Sequence, residues 1–144
     1  MKNKLETKVD YYDNGQIANV VIYLDGREKH VTEWYENGQK KKEGNLDGLF
    51  TFWYENGQKN IEGNFKNGRL DGLLTFWYEN GQKKMEEHNK DGKREGLVTF
   101  WYENGQKELE GNFKNGRLDG LETEWDEEGN VIKTETYKDG LVYQ

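Results

Sequence analysis

Apolar and polar residues alternate along short stretches of this chain. Residues 73–78, with the sequence Leu-Leu-Thr-Phe-Trp-Tyr, show the pattern, and similar stretches recur on both sides of them. These stretches are rich in residues that favour β-structure, proline is absent, and alanine occurs once, at Ala18. No segment repeats its apolar residues with the period of a helix. The pattern predicts β-strands throughout the chain.

Each stretch is followed by a glycine-containing turn, and the turns recur at nearly constant intervals. The turn glycines are 23, 19, 24, 24 and 24 residues apart. A period of this length is typical of stacked repeats in which no unit is stable alone. The short interval lacks a block equivalent to residues 65–69, which places a return loop there. We predict a single repeat domain over residues 1–144 with about six hairpin units, whose turns lie at Gly15, Gly38, Gly57, Gly81, Gly105 and Gly129.

The repeated Glu-Asn-Gly-Gln sequence predicts a two-residue type I′ turn, because asparagine and glycine tolerate a positive φ at both central positions. In the register that this turn sets, apolar residues face each other in three hairpins, and Glu-Lys pairs replace them in the two flanking hairpins. The predicted pairs are Phe52 with Ile61, Phe76 with Met85, Phe100 with Leu109, Glu33 with Lys42, and Glu124 with Lys133. The same register places Phe65, Phe113 and Tyr137 over Gly48, Gly96 and Gly120.

This register separates two faces of the sheet. The phenylalanine face is expected to be the apolar, inner face. Its residues in the central units are Phe50, Phe52, Tyr54, Ile61, Phe65, Leu74, Phe76, Tyr78, Met85, Val98, Phe100, Tyr102, Leu109 and Phe113. The tryptophan face carries a leucine, a threonine and a tryptophan in each unit, with the tryptophans predicted to lie opposite Asn60, Lys84 and Glu108.

The composition restricts the core that these strands can form. Leucine, isoleucine, valine and phenylalanine make up about a fifth of the 144 residues, and aromatic residues make up 14%. So few apolar side chains cannot fill a thick two-layer core, so the fold is expected to be thin and extended. The absence of cysteine excludes disulfides and zinc–thiolate sites.

The net charge of −7 is concentrated at the C-terminal end. Residues 119–144 contain eight acidic residues and two lysines, so the rest of the chain is nearly neutral. The acidic end disfavours binding to nucleic acid and anionic lipid and favours a basic partner. The alternative is a solubilising cap without a partner. The N-terminal residues are polar and lack the apolar segment of a signal peptide, so we expect a cytoplasmic location unless a signal peptide was removed.

Residues 61–72, with the sequence Ile-Glu-Gly-Asn-Phe-Lys-Asn-Gly-Arg-Leu-Asp-Gly, resemble a MORN repeat. The family pattern is aromatic-x-Gly-x-aromatic, then x-Asn-Gly-Lys and a second glycine. Residues 109–120 match equally well, whereas residues 85–96 have Glu87 in place of the first glycine. The added Trp-Tyr-Glu-Asn-Gly-Gln looks like the bacterial variant of the repeat, found in proteins described as antitoxin-like. The resemblance implies an all-β fold, an elongated single-layer antiparallel meander of β-hairpin repeats, in a family of scaffolds, tethers and membrane-associated modules.

Few residues suggest chemistry. His30 and His88 have no nucleophile or second ligand at a useful spacing, so no catalytic group, metal site or cofactor is predicted. Glu122, Glu124 and Asp126 alternate and therefore project from one strand face. They form either a polar cap or a binding site for a basic partner or a Ca²⁺ ion.

A row of tryptophans is the main candidate for partner binding, because tryptophan is enriched at binding hot spots. The alternative is that lysine side chains cover these residues and that they stiffen the sheet. The row comprises Trp34, Trp53, Trp77, Trp101 and Trp125.

These features predict a non-enzymatic, protein-binding repeat module that neutralises a basic partner in the manner of an antitoxin or immunity protein. The alternative is a structural or tethering MORN scaffold, a role that some MORN proteins have at membrane surfaces. The acidic charge weighs against the membrane version. The outer strands near Leu5 and Leu141 offer exposed edges through which a second copy could pair to form a homo-oligomer.

Overall fold

The computed structural model describes residues 3–144, and they form fourteen β-strands. The strands are β1 (Leu5–Tyr11), β2 (Ile17–Leu24), β3 (Arg27–Trp34), β4 (Lys40–Asn45), β5 (Gly48–Trp53), β6 (Lys59–Lys66), β7 (Arg69–Leu70), β8 (Gly72–Trp77), β9 (Lys83–Lys90), β10 (Lys93–Trp101), β11 (Lys107–Lys114), β12 (Arg117–Trp125), β13 (Val131–Lys138) and β14 (Leu141–Val142). The described part of the chain contains no helix.

All fourteen strands belong to one open antiparallel sheet. Strands that follow each other in sequence lie side by side, and the two-residue strand β7 pairs with β6 in the same row as β8. A meander of this kind forms because each unit is a hairpin whose outer strands pair only with the hairpins before and after it. The predicted all-β, single-layer meander is therefore confirmed.

The cross-strand register also agrees with the prediction. Phe76 lies opposite Met85, and the other four predicted pairs are observed as well. Each of the three aromatic residues expected to lie over a glycine is paired with that glycine in the register, but its ring does not come within 4 Å of the position that a Cβ would occupy there. The register could be predicted by comparing the units of this one chain, because both residues of a cross-strand pair change together from apolar to charged between units.

The predicted type I′ geometry at the Glu-Asn-Gly-Gln turns is wrong. The loop contains three residues, since Tyr78 N donates to Gln82 O at 2.8 Å and Gly81 N donates to Tyr78 O at 3.0 Å. Gly81 has a φ of 88°, whereas Asn80 is not among the residues of positive φ. This is a type I turn followed by a left-handed glycine, the usual three-residue hairpin loop. Asn80 fits the turn through its side chain, whose Oδ1 accepts Gln82 N at 2.9 Å.

A β-bulge after each turn restores the predicted register. The longer loop places Trp77 opposite Lys83, and the next pair is Phe76 with Met85, so Lys84 is the extra residue. The predicted location of the tryptophans opposite Asn60, Lys84 and Glu108 is therefore wrong. Their partners are Lys59, Lys83 and Lys107.

Turns with two left-handed central residues occur at the other end of the hairpins. Asn67 and Gly68, for example, have φ values of 52° and 76°. The equivalent Asx-Gly pairs in the other return loops begin at Asp25, Asp91, Asn115 and Asp139. In the unit that lacks the five-residue block, β4 and β5 have six residues each and the hairpin is shortened at this same end, as predicted.

The core is thin and lies along the middle of the sheet. On the phenylalanine face Leu74, Met85 and Val98 are buried, and Val98 is only 1% exposed. On the tryptophan face the buried residues are threonines, whereas the first leucine of each unit is exposed. The buried threonines are Thr32, Thr51, Thr75 and Thr99. The buried apolar side chains therefore lie on the phenylalanine face, as expected.

Candidate functional site

The tryptophan row lies on one face at the turn end of the hairpins, and each indole is half-buried. Four of the five rings have a lysine ammonium group from the preceding hairpin above them, at a distance typical of a cation–π contact. The contacts are Lys40 over Trp53 at 5.9 Å, Lys59 over Trp77 at 5.7 Å, Lys83 over Trp101 at 5.9 Å, and Lys107 over Trp125 at 5.8 Å. At the first unit Ile17 replaces the lysine and adjoins Trp34.

A glutamate holds each lysine in place, and in two units a threonine hydroxyl donates to that glutamate. Lys107 Nζ lies 2.8 Å from Glu110 Oε2, which also accepts a hydrogen bond from the buried Thr99 hydroxyl at 2.9 Å. Burial acts to raise the pKa of the Glu110 carboxyl, but the hydrogen bonds from Lys107 and Thr99 outweigh it, and the pKa falls below its usual value. The same lysine–glutamate contact occurs in Lys40–Glu43, Lys59–Glu62 and Lys83–Glu86.

The tyrosine and asparagine of each turn bind the backbone of the next turn. The Tyr78 hydroxyl donates to Trp101 O at 2.6 Å, and Asn80 Nδ2 donates to Glu103 O at 2.9 Å. The tyrosine bond recurs at Tyr12, Tyr35, Tyr54 and Tyr102, and the asparagine bond recurs at Asn37, Asn56 and Asn104. These bonds join consecutive hairpins and fix their spacing.

The glutamine completes this set of contacts. Gln82 Oε1 lies 3.3 Å from the position that a Cβ would occupy at Gly105, so its side chain packs against the glycine of the next turn. Within the repeated Trp-Tyr-Glu-Asn-Gly-Gln, the side chains of the tryptophan, tyrosine, asparagine and glutamine therefore contact a neighbouring unit, and the glycine supplies the left-handed backbone. The structure thus favours the stiffening role for the tryptophan row, and partner binding by these residues stays a prediction.

The last complete hairpin departs from this scheme at Asp126, which replaces the tyrosine. Asp126 Oδ1 accepts Asn130 N at 2.8 Å and Glu128 N at 3.1 Å, within its own turn. These backbone hydrogen bonds, that from Asn130 first, lower the pKa of the carboxyl below its usual value. Asp126 is thereby used in capping its turn, while the other two acidic candidates, Glu122 and Glu124, lie on the neighbouring strand β12.

Glu122 and Glu124 lie on the phenylalanine face in the positions of apolar residues. Burial raises the pKa of the Glu122 carboxyl, and the neighbouring Glu124 raises it further. The nearest cation is Lys133, whose Nζ is 3.9 Å from Glu124 Oε1 but 3.3 Å from Glu135 Oε2. Because Lys133 binds Glu135 more closely, the two carboxylates of β12 are only partly neutralised.

An open cavity of about 320 Å³ adjoins Glu124. It brings together two of the predicted site residues, Glu124 and Trp125, and its walls come from two consecutive hairpins, β10–β11 and β12–β13. The other lining residues are Phe100, Tyr102, Glu108, Leu109 and Ile132. The cavity therefore combines aromatic and aliphatic surface with two carboxylates.

Comparison with protein families identifies the repeat. The family described as "MORN repeat variant" matches residues 27–45, 46–67, 70–91, 94–115 and 118–139. These matches cover most of the sequence. The chain belongs to the MORN repeat variant family. A search among curated proteins finds no match to the chain.

MORN repeats are generally non-catalytic modules that bind proteins or membranes. Within residues 3–144 of this MORN protein, no three histidine, aspartate or glutamate side chains converge closely enough to hold a metal ion. None of the described residues forms a helix that is long and apolar enough to cross a membrane. His30 Nδ1 lies 2.8 Å from Asn45 Oδ1, and His88 is exposed opposite Leu73.

Sequence reasoning missed the lysine–glutamate ladder of this MORN sheet. Lys83 and Glu86 are three residues apart and would project from opposite faces of a regular strand. The bulge at Lys84 brings them to one face. The signal that could have revealed them is the recurrence of Lys-x-x-Glu after four of the turns.

A buried ion pair between the third and fourth matched repeats was also missed. Glu87, which replaces a repeat glycine, is 6% exposed and pairs with Arg94 Nε. Arg94 stands where the next repeat has Leu118, so the glycine and the leucine are both replaced in the same unit. Reading these two departures together would have predicted the pair.

The phenylalanine face carries an open apolar groove that the sequence predicted only as core. Its volume is about 430 Å³, and Val31, Phe50, Phe52 and Phe65 supply most of its apolar wall. This groove lies among the first repeats, whereas the acidic cavity lies at the last one.

Proposed function

We propose that this MORN protein is a non-enzymatic module that binds and neutralises a basic partner protein in the cytoplasm, in the manner of a bacterial antitoxin or immunity protein. The observation that supports the proposal best is the composition of the last repeat. Where the inner repeats place apolar residues on the phenylalanine face, this repeat places Glu122 and Glu124. Glu124 lines an open cavity, and Lys133, which lies closer to Glu135, neutralises it only in part.

The proposed contact surface has two parts. The acidic part consists of Glu122, Glu124 and Asp126 and attracts a basic partner through charge complementarity. The second part is the tryptophan row, whose half-buried rings and covering lysines form a regular strip along the opposite face. Equivalent strands of a meander are two strand spacings apart, roughly 10 Å, so the strip suits an extended segment of a partner.

Co-expression with the product of the neighbouring open reading frame tests the proposal. We expect a basic protein to be retained at low ionic strength and released as salt screens the contact. Replacing Glu122 and Glu124 with glutamine and Asp126 with asparagine should weaken retention, because these changes remove charge but keep the oxygen atom that caps the turn. Glu79→Gln is the matched control for loss of one charge, since Glu79 is an exposed turn residue in an inner unit. Retention of no protein, or equal retention by all variants, would refute the acidic contact.

A tethering role at a membrane surface is the second candidate. It is favoured by the open apolar groove of the phenylalanine face, which nothing in the single-layer sheet covers. The net charge of −7 opposes an anionic surface. Sedimentation with anionic and with zwitterionic vesicles decides between the candidates, and clear binding to anionic vesicles would reverse their order.

A further inference from the structure

The tyrosine of each turn lies beside the bulge residue of its own hairpin. Where this residue is a lysine, its ammonium group lies over the tyrosine ring: Lys41 Nζ is 5.7 Å from the centroid of Tyr35, and Lys84 Nζ is 5.6 Å from that of Tyr78. These distances are typical of cation–π contacts, in which a cation meets the negative face of the ring. Two of the repeats therefore place an ammonium group above the turn tyrosine, whereas at Tyr54 the bulge residue is Asn60.

At Tyr102 the residue in this place is Glu108, a carboxylate. The described part of the chain shows no cation over the Tyr102 ring, although it shows one over Tyr35 and one over Tyr78. Burial raises the pKa of the Tyr102 hydroxyl, and the carboxylates of Glu108 and other nearby residues raise it further. A ring face next to carboxylates and without a cation is an unfavourable arrangement that a bound cation would relieve.

The surroundings of Tyr102 are shaped for the rest of a lysine side chain. The ring borders the cavity of about 320 Å³, in which Leu109 and Ile132 provide aliphatic surface for a methylene chain. Glu124, in the position of Phe100 in the preceding unit, adds a second carboxylate. The nearby lysines are engaged elsewhere: Lys107 lies over Trp125 on the opposite face, and Lys133, 3.9 Å from Glu124 Oε1, lies closer to Glu135 Oε2, at 3.3 Å.

We propose that this cavity binds a lysine side chain of the basic partner, with the ammonium group between Glu108 and Glu124 and against the Tyr102 ring. The inference rests on the proposed function for the source of the lysine. The cavity itself follows from the comparison of units, because the chain places its own lysines over two of the equivalent tyrosines, Tyr35 and Tyr78. The bound side chain thus takes the place that Lys84 has in the preceding unit.

A titration with N-acetyl-lysinamide, followed by NMR of the protein's methyl and aromatic groups, tests the proposal. We expect saturable shifts at Tyr102, Leu109 and Ile132, and no such response to N-acetyl-norleucinamide, which has the same four side-chain carbons but lacks the ammonium group. Glu124→Gln should weaken binding roughly fivefold, the factor that corresponds to about 1 kcal/mol. Glu79→Gln, a matched loss of one charge in an inner turn, should leave binding unchanged.

Glu108→Lys provides a second test that does not depend on lost charge alone. It restores the residue type found beside Tyr78, and the introduced ammonium group should occupy the cavity and abolish binding of N-acetyl-lysinamide. The proposal is overturned if the shifts appear equally at Tyr78, if norleucinamide produces them too, or if Glu124→Gln and Glu108→Lys bind as the wild type does. Thermal melts of each variant show whether a loss of binding reflects unfolding.

Decalysine, used as a second probe, separates this inference from the proposed function. Binding of decalysine that is equal in the wild type and in Glu108→Lys would refute the cavity and leave the proposed contact with a basic chain intact. Filling of the cavity by N-acetyl-lysinamide without retention of any basic polypeptide would support the ammonium site and refute the proposed function.

Discussion

The buried pair of Glu87 and Arg94 allows a quantitative test of how a MORN repeat accommodates charge in its core. Glu87 lies between Leu74 and Val98 of the neighbouring strands and is 6% exposed. Its carboxylate accepts hydrogen bonds from Arg94 Nε and, at 3.1 Å, from Asn89 Nδ2. Removal of Arg94 leaves a buried carboxylate with a single neutral donor.

The next repeat shows the uncharged version of the same contact. There the two positions are occupied by Gly111 and Leu118, and Leu118 Cδ2 lies 3.0 Å from the place that a Cβ of Gly111 would occupy. The leucine therefore covers the glycine, just as the guanidinium group covers the carboxylate of Glu87. The pair Glu87→Gly with Arg94→Leu thus copies an arrangement that this fold already contains.

The expected magnitudes follow from burial. Breaking a buried ion pair by removing one partner costs about 3–5 kcal/mol. Because the Arg94 side chain is 39% exposed, part of its interaction is with solvent, and we expect Arg94→Leu to lower the free energy of unfolding by about 2–3 kcal/mol. Glu87→Gly should cost about 1–2 kcal/mol for the contacts it removes. The double variant should lie within about 1 kcal/mol of the wild type, which gives a coupling energy of roughly 3 kcal/mol.

Urea unfolding followed by tryptophan fluorescence provides the assay, since the indoles are half-buried along the whole sheet. The slope of the unfolding free energy against urea must stay constant across the four proteins for the cycle to be valid. If the losses of unfolding free energy caused by the two single substitutions simply add in the double variant, the glycine–leucine pair cannot replace the glutamate–arginine pair. That result would refute this reasoning.

Three further predictions concern register, repeat stacking and pH. Phe76→Glu should lower the unfolding free energy by about 2–4 kcal/mol, and added Met85→Lys should recover part of it; urea melts without any recovery would contradict the pairing. Tyr78→Phe removes one bond between hairpins and should cost about 1 kcal/mol in the same assay, with an effect near zero counting against the bond. The bond from Tyr137 to Glu135 raises the pKa of the Tyr137 hydroxyl to about 12, above its unfolded value, so its stabilisation is complete below pH 10 and is lost as the pH rises from about 10 to 12. The wild type should therefore lose more stability than Tyr137→Phe over this range, and parallel losses in the two proteins would contradict the bond.

The register was predictable because the departures between units carry information about contacts. Phe76 and Met85 are replaced together by Glu124 and Lys133 in the last repeat, and only residues that face each other change in this way. Burial was harder to predict. Thr75, a small polar residue, is 4% exposed because the tryptophan row and the lysine–glutamate ladder surround it, and neither effect is visible in a hydrophobic pattern.

The turn geometry was not predictable from the Asn-Gly pair. This pair fits a type I′ turn, but it also fits a type I turn in which only the glycine is left-handed and the asparagine side chain bonds to the backbone. The loop is one residue longer than the two-residue loop predicted, and the bulge at Lys84 compensates for the difference. Because the two effects cancel at Phe76, the register gave no sign of the error, and the lysine–glutamate contacts that depend on the bulge remained hidden.

The repeated residues and the departures from the repeat have different meanings in this protein. Tyr78 and Asn80 recur because each unit must bind the next, and their side chains are fully engaged in doing so. A residue that departs from the pattern does not make these hydrogen bonds between units. Glu108 replaces the cation that Lys84 supplies in the preceding unit, and Glu124 replaces an apolar residue and pairs with Lys133; both glutamates line one cavity. The two departures meet at one open site, and the partner lysine that we propose would supply the cation missing over Tyr102.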